Sequence, residues 1–484
     1  MENKAQSDTN FTSQVKNLCS RIYGRSQLKD SMLERALAYY ENKPSVDLKI
    51  ATLKQNIHKI TAQIATDKSR QYIVRLEREL RDYHDELTFD RNDRHQHLYT
   101  LCEEIIGLCE GDSFDESNRK SAQLLGTIQL VTPTEGKKVA VINEQYKPLY
   151  KSVLCLRLLD RLCIDEHIIE PYIKAALGDI TAIKYATFAE DNPEAYKVFV
   201  ETVKIPLVMA SLLQDIGNNH PNSLTILLGA DYKQDPFRTL PIEERKSLLQ
   251  INYRETVKYL VDGIGASMYI GNSKADRDKY NIIEHKKLLF IKHLLKSSVN
   301  PKEGVGNLLK VPQIYSSIIL STKNSYNYKL LPKVFQVLNQ NAERGACSKV
   351  VVESLAKIIG HFPQGYGVTY IPSEQDIYDR YEYGIVSQLY PESPEHPICR
   401  TATRNLTFIS HGQDIEIKKT KNLYFNETAK SFSTISKERL NEILELLVSN
   451  YHERKQLDLL PRCWHPNEFF ALKINQKLWN KAKC

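Results

Sequence analysis

A mainly α-helical chain, with an N-terminal helical region and a small C-terminal β-rich module, is the fold class this sequence predicts. Three observations carry it. Apolar residues recur at spacings of three and four as far as Gly360. Beyond Gly360 that period gives way to short pieces of β-like texture separated by Pro and Gly. An apolar content of 42%, with 26% charged residues, suits a globular chain of 484 residues able to bury its own core. The same composition excludes collagen-like, low-complexity and wholly disordered classes.

Residues 27–110 read as helical. Leu53, Ile57, Ile60 and Ile64 follow at 4-3-4 spacing, and Leu76, Leu80, Tyr83 and Leu87 repeat the pattern among charged and amide residues. Two long helices paired as a hairpin, or a short coiled coil, fit this. Both an intramolecular bundle and a dimerising arm remain open, so self-association through these helices is an expected partner mode. Gly111 to Ser117 is a polar break. After it, Thr127–Val131 and Lys138–Ile142 flank Thr132-Pro133-Thr134-Glu135-Gly136, which predicts a β-hairpin-like connector over 111–146.

Helical spacing returns over 147–360, in Val153–Leu162, Ile168–Leu177, Ala195–Val203, Pro206–Leu213, Glu244–Val261, Ile282–Leu295, Val311–Ser321 and Lys349–Ile359. A β-rich module follows over 361–427, with strand-like pieces at Gly367–Ile371, Tyr383–Leu389, Ile398–Ala402 and Asp414–Ile417. A helical tail over 428–484 closes the chain, its helix expected at Lys437–Glu453.

The net charge of +7 is dispersed, with Lys and Arg alternating with Asp and Glu. A nucleic-acid binder concentrates its positive charge on one face, so no nucleic-acid partner is expected. The cluster Lys418, Lys419 and Lys421 reads as a solvated strand end. Nine cysteines, odd in number and without C-x-x-C, suit free thiols acting as small buried hydrophobes. The longest apolar stretch, Ile205–Leu213, falls short of a membrane span, and the polar start lacks the texture of a signal peptide. The expectation is a cytoplasmic protein with no membrane span.

The segment with chemical content is Met209-Ala210-Ser211-Leu212-Leu213-Gln214-Asp215-Ile216-Gly217-Asn218, an apolar helix ending in Asp-Ile-Gly. Its plain reading is a helix that stops at a glycine. It also resembles the helix of the HD superfamily of metal phosphohydrolases, in which an apolar helix leads into His-Asp-Ile-Gly-Lys. Leu240–Arg245 with Asn252–Leu260, then Tyr315–Leu320 with Leu330–Val337, resemble later HD-GYP segments. Val350–Leu355, Phe362-Pro363-Gln364-Gly365 and Gly384-Ile385-Val386 look like the end of such a domain and its trailing β module. The resemblance covers Ile205 to Arg400. It implies a helical HD-type core over 147–360 and the family's activity, cleavage of cyclic di-GMP by two or three iron or manganese ions.

The ligand positions depart from that pattern. Gln214 stands where the family has its first metal-binding His, Asn252 where it has the His of His-Pro, and Tyr315 where it has a later metal-binding Asp. The His-His-Glu-x-x-Asp-Gly-x-Gly-Tyr-Pro signature is missing, and Asp262-Gly263-Ile264-Gly265 and Glu303-Gly304-Val305-Gly306 read as turns. A hydrolytic metal centre needs anionic or imidazole donors that converge on the ion. Asp215 alone remains, as a vestigial metal position. His220, which precedes Pro221, could supply a displaced ligand; His285 and His293 share a helix face; His361 and His411 lack acidic partners. The expectation is therefore a catalytically inactive HD-GYP-like signalling or scaffolding protein, with no catalytic residue and no resident cofactor, and with a cyclic dinucleotide as a candidate ligand. The alternative is an active metal-dependent phosphodiesterase or phosphohydrolase with an altered iron or manganese site.

Overall fold

The computed structural model describes residues 7–24, 29–62, 67–372, 381–402, 414–432, 442 and 461–480. In chain order its longer helices are α1 (Asn10–Tyr23), α2 (Met32–Thr61), α3 (Asp67–Cys109), α4 (Phe114–Val131) and α5 (Val139–Ile164). Four short ones follow: α6 (Pro171–Leu177), α7 (Ala182–Tyr185), α8 (Phe188–Asp191) and α9 (Pro193–Phe199). Then come α10 (Ile205–Leu213), α11 (Pro221–Leu228), α12 (Ile242–Lys258), α13 (Lys274–Val299), α14 (Asn307–Ile319), α15 (Val334–Glu343) and α16 (Lys349–Ile359). The protein is mainly helical with a small C-terminal antiparallel sheet, as its sequence predicts.

Two compact units make up the chain, and neither is continuous in sequence. The first takes Met1–Cys19, Glu104–Lys204 and Ser297–Cys484; the second takes Ser20–Glu103 and Ile205–Lys296. The linear division expected at 110, 146, 360 and 427 follows changes of sequence texture. Texture reports local structure and carries no information about which distant segments pack together.

In the second unit, α2 begins at a capping box. The Ser31 hydroxyl accepts the Glu34 N–H at 3.2 Å, and the Glu34 carboxylate accepts the Ser31 N–H at 3.1 Å. α2 and α3 run antiparallel, with Arg35 paired to Asp93 and the Lys49 ammonium 3.8 Å above the Tyr83 ring. Leu53 and Leu76 are buried, and Ile57, Ile60, Leu80, Tyr83 and Leu87 are half-buried. The 4-3-4 stripe is thus the seam of a hairpin. α1, which the spacing did not predict, buries Val15, Leu18, Cys19 and Ile22.

The expected β-hairpin over 111–146 is corrected. Thr127–Val131 ends α4, and most of Lys138–Ile142 is the first turn of α5. Leu124 to Leu130 are all buried, so no polar face marks the helical period and the run imitates a strand. At Val139, which is buried, and Ile142, which is half-buried, tertiary packing overrides the β preference of branched side chains. The Pro133–Gly136 turn is real, but it joins two helices. α4, α14 and α16 all pack on α5 and form the helical body of the first unit.

The β module belongs to this unit. Strands β1 (Gly367–Tyr370), β2 (Glu382–Val386), β3 (Ile398–Thr401), β4 (Asp414–Glu416) and β5 (Cys463–Trp464) form one antiparallel sheet in the order β4-β3-β2-β1-β5. The first four fall inside the predicted strand-like pieces or within a residue of them. The fifth is an addition: Trp464 lies opposite Gly367, and its indole N–H donates to the Gly384 carbonyl at 2.9 Å. The module is fastened to the helices. Tyr328 Oη accepts the Gly367 N–H at 2.8 Å, and the Tyr390 N–H donates to the Ile358 carbonyl at 2.7 Å. The helix expected at Lys437–Glu453 lies outside the described residues, apart from Glu442.

Candidate functional site

The segment that resembles the HD helix ends as a turn in the second unit. α10 is buried along its whole length, and after Leu213 the chain passes through Gln214 and Asp215 into a 3₁₀ turn, Ile216–Asn219. α12 closes over this turn. Asn252 Nδ2 donates to the Gln214 carbonyl at 3.1 Å, and Thr256 Oγ1 accepts the Gly217 N–H at 3.1 Å. Thr256 Oγ1 lies 3.4 Å from Asn252 Oδ1, and Ser223 Oγ donates to the Gly217 carbonyl at 2.8 Å. Gly217 permits this approach, because a Cβ there would be driven into the backbone of Asn252. The Asp-Ile-Gly turn is thus tied to α12 by neutral amides and hydroxyls, which satisfies backbone groups freed at the helix end.

The structure brings Gln214, Asp215 and Asn252 together. Tyr315 lies in the first unit, where it is wholly buried, parallel to Tyr150 at 6.5 Å and tilted on Phe335 at 5.7 Å between ring centres. It is a core aromatic. His220 caps α11, its Nδ1 accepting the Asn222 N–H at 3.2 Å. That bond leaves Nε2 as the protonated nitrogen, 3.8 Å from the buried Glu255 carboxylate. Burial lowers the His220 pKa, with Glu255 working the other way. His285 and His293 are exposed along α13. His361 is half-buried, with its ring 6.0 Å from Phe335. His411 lies outside the described residues. Glu303–Gly306 forms the turn before α14, as expected, but Asp262–Ile264 is corrected from a turn to the end of a π-helix, Tyr259–Ile264, which stops at Gly265 with a φ of 65°.

The iron or manganese ions that the resemblance implies do not fit these donors. Gln214 and Asn252 offer neutral amides, and the Asn252 nitrogen is committed to the Gln214 backbone. Among the described residues no three His, Cys, Asp or Glu side chains gather as a metal site. Eight of the nine cysteines are described; all eight are buried and none of them forms a disulfide, as expected of small apolar side chains.

A second constellation, which the sequence reading missed, lies in the first unit. Arg157, Lys204, Glu110 and Asp160 form a quartet of buried charges. Arg157 Nη2 pairs with Glu110 and, at 2.8 Å, with Asp160; Lys204 Nζ sits 3.0 Å from each of the same two carboxylates. Tyr185 donates to Asp160 at 2.7 Å. Tyr196 donates to Glu110 at 3.0 Å and accepts from Lys204 at 2.8 Å. Burial pushes the Glu110 carboxyl up, but Arg157 and Lys204 outweigh it and hold it down at about 2. Burial also pulls the Lys204 ammonium down, and Asp160 and Glu110 outweigh that and raise it. Lys204 ends a π-helical turn, Val200–Lys204, a wider winding that often marks a special position. A signal was present in the sequence: Arg157 interrupts the otherwise apolar Val153–Leu159 run, Asp160 directly follows it, and Lys204 directly precedes Ile205–Leu213.

No family model, curated protein or solved structure matches the chain.

Proposed function

We propose that this chain is an HD-GYP-like protein that acts in signalling or as a scaffold and does not hydrolyse cyclic di-GMP. One observation carries the reading. Where the family would gather His and Asp side chains on a metal, Asn252 and Thr256 bind the backbone of Gln214 and Gly217, so these positions hold helices together. Replacing several ligands by neutral amides removes the charge that retains an ion and acidifies its water. The enzyme alternative would have to draw on Asp215, His220 and Glu255, and His220 Nδ1 is already committed to capping α11. Iron and manganese content and cyclic di-GMP turnover, measured on one purified preparation, test the proposal. Substoichiometric metal and no turnover are expected. Near-stoichiometric metal, with turnover abolished by Asp215→Ala, would establish the enzyme.

A role for the α2–α3 hairpin in self-association belongs to the same reading. Its seam is closed, yet Leu48 and Phe89 are 69% and 74% exposed on its outer faces, with Tyr72 and Val74 about half exposed. Leu48→Glu combined with Phe89→Glu leaves the seam intact. Light scattering should show a smaller assembly for this variant than for the wild type, and an unchanged mass would remove the hairpin from the account. Among the described residues no helix is long and apolar enough to cross a membrane.

A further inference from the structure

A cleft of about 1060 Å³ in the first unit is lined by the first turns of α4, the segment after β2, the Arg400–Asp414 pair and Trp479. Its size exceeds what a simple ion needs and is at the upper end for small-molecule sites. Its charges are arranged, not merely present. Arg400 is 4% exposed, and its Nε and Nη2 grip Asp414 at 2.8 and 2.9 Å. Asp414 is held in turn by Ser387 Oγ at 3.0 Å and Gln388 Nε2 at 2.9 Å. This fork fixes the guanidinium plane and leaves Nη1 without a partner among the described residues.

Three buried polar atoms of the lining residues have no hydrogen-bond partner among the described residues: the indole N–H of Trp479, which is 6% exposed, the Tyr390 hydroxyl and Asn118 Oδ1. The Trp479 ring is seated on Gly126 of α4, where a Cβ would collide with it, so its position is fixed by packing. Tyr390 adopts a φ of 55°, a strained value for a side chain of this size, and its ring lies 5.7 Å from Phe114. The acidic residues at the cleft are largely spent. Glu116 faces Arg119 at 3.5 Å and Lys120 at 3.7 Å, Asp414 is bound to Arg400, and Asp115 is exposed. Ser113 caps α4 and places the positive end of an 18-residue helix at the same cleft.

We propose that this cleft binds a ligand joining an anionic oxygen group to a planar aromatic ring, in the class of purine nucleoside monophosphates. The anion would meet Arg400 Nη1, Arg119 and the start of α4, and the ring would lie against Phe114, Tyr390 or Trp479, where stacking tolerates different bases. This inference does not rest on the Asp-Ile-Gly turn, and its failure leaves the proposed function untouched.

The chain has two tryptophans, so Trp464→Phe leaves Trp479 as the reporter inside the cleft. Titrating that variant with GMP, AMP and inorganic phosphate, with calorimetry on the wild-type chain, tests the assignment. A saturable change in Trp479 emission with a nucleotide, at a Kd below about 1 mM, is expected. Phosphate alone should bind at least about tenfold more weakly. Arg119→Glu, which alters a partly exposed side chain, should weaken nucleotide binding about tenfold with the fold retained by circular dichroism; Arg400→Gln should weaken it further if that variant folds. No saturable response to either nucleotide would overturn the proposal. So would phosphate binding as tightly as the nucleotides, or affinity unchanged in Arg119→Glu.

Discussion

Each unit holds one buried network that keeps polar groups away from water, and the two networks do so by opposite chemistry. In the second, the turn after α10 is closed by neutral donors and acceptors from Asn252, Thr256 and Ser223. In the first, Glu110, Arg157, Asp160 and Lys204 bring four full charges into the interior, with two tyrosine hydroxyls donating to the carboxylates. A neutral network is indifferent to pH, and each bond in it stabilises by about 1 kcal/mol. A charged one is stable only while every member is present, because each charge buried without its partner is costly. The contrast shows that the segment most like an enzyme motif is the chemically quieter of the two, and that the buried charge quartet lies where no motif pointed.

The largest test of that contrast is Lys204→Met. It leaves Glu110 and Asp160 facing Arg157 alone and should destabilise the first unit by about 3–5 kcal/mol in urea denaturation. A loss under 1 kcal/mol would mean that the quartet is not a closed set. Acid should separate the two networks next. The folded-state pKa of Glu110 is depressed from 4.5 to about 2, so its contribution is present above pH 4.5 and disappears as pH falls from there toward 2. The loss amounts to at most about 3 kcal/mol, and a Glu110→Gln variant should lack this slope in a pH series of melts. Gly217→Ala acts on the other unit. Forcing a methyl against the Asn252 backbone should cost about 2 kcal/mol, read as a lower urea midpoint without an acid-dependent component. Thr256→Val is the mildest, about 1 kcal/mol, since it leaves the Gly217 N–H without its acceptor but retains the side-chain volume. Equal acid sensitivity in Thr256→Val and in the wild type would support the separation of the two networks.

Much of the fold was legible because its signals are local. The 4-3-4 stripes gave the hairpin seam, and Lys349–Ile359 matches α16 end to end. The Pro and Gly texture after Gly360 located four of the five strands. What failed was where burial erases periodicity: Thr127–Val131 read as a strand because Thr127 and Gln129 alternate with Ile128 and Leu130, yet all four are buried in α4. β5 is two residues long, too short to carry an alternation. The candidate site was half legible. Asn252 does reach Gln214, 38 positions away, and only the family resemblance, not a local spacing, had set the two side by side. The charged quartet joins residues 47 and 94 positions apart, a pairing that no single-chain pattern encodes. Only the oddity of Arg157 and Asp160 inside an apolar helix announced it.

The central claim is that Gln214 and Asn252 serve structure where the resembling family binds metal. Manganese binding followed by electron paramagnetic resonance tests it directly, on the wild type, Gln214→His and Asp215→Ala. The account predicts no stoichiometric site in any of the three, since restoring one imidazole beside Asp215 leaves α12 with only an amide to offer. A site of micromolar affinity in the wild-type protein that vanishes in Asp215→Ala would contradict it.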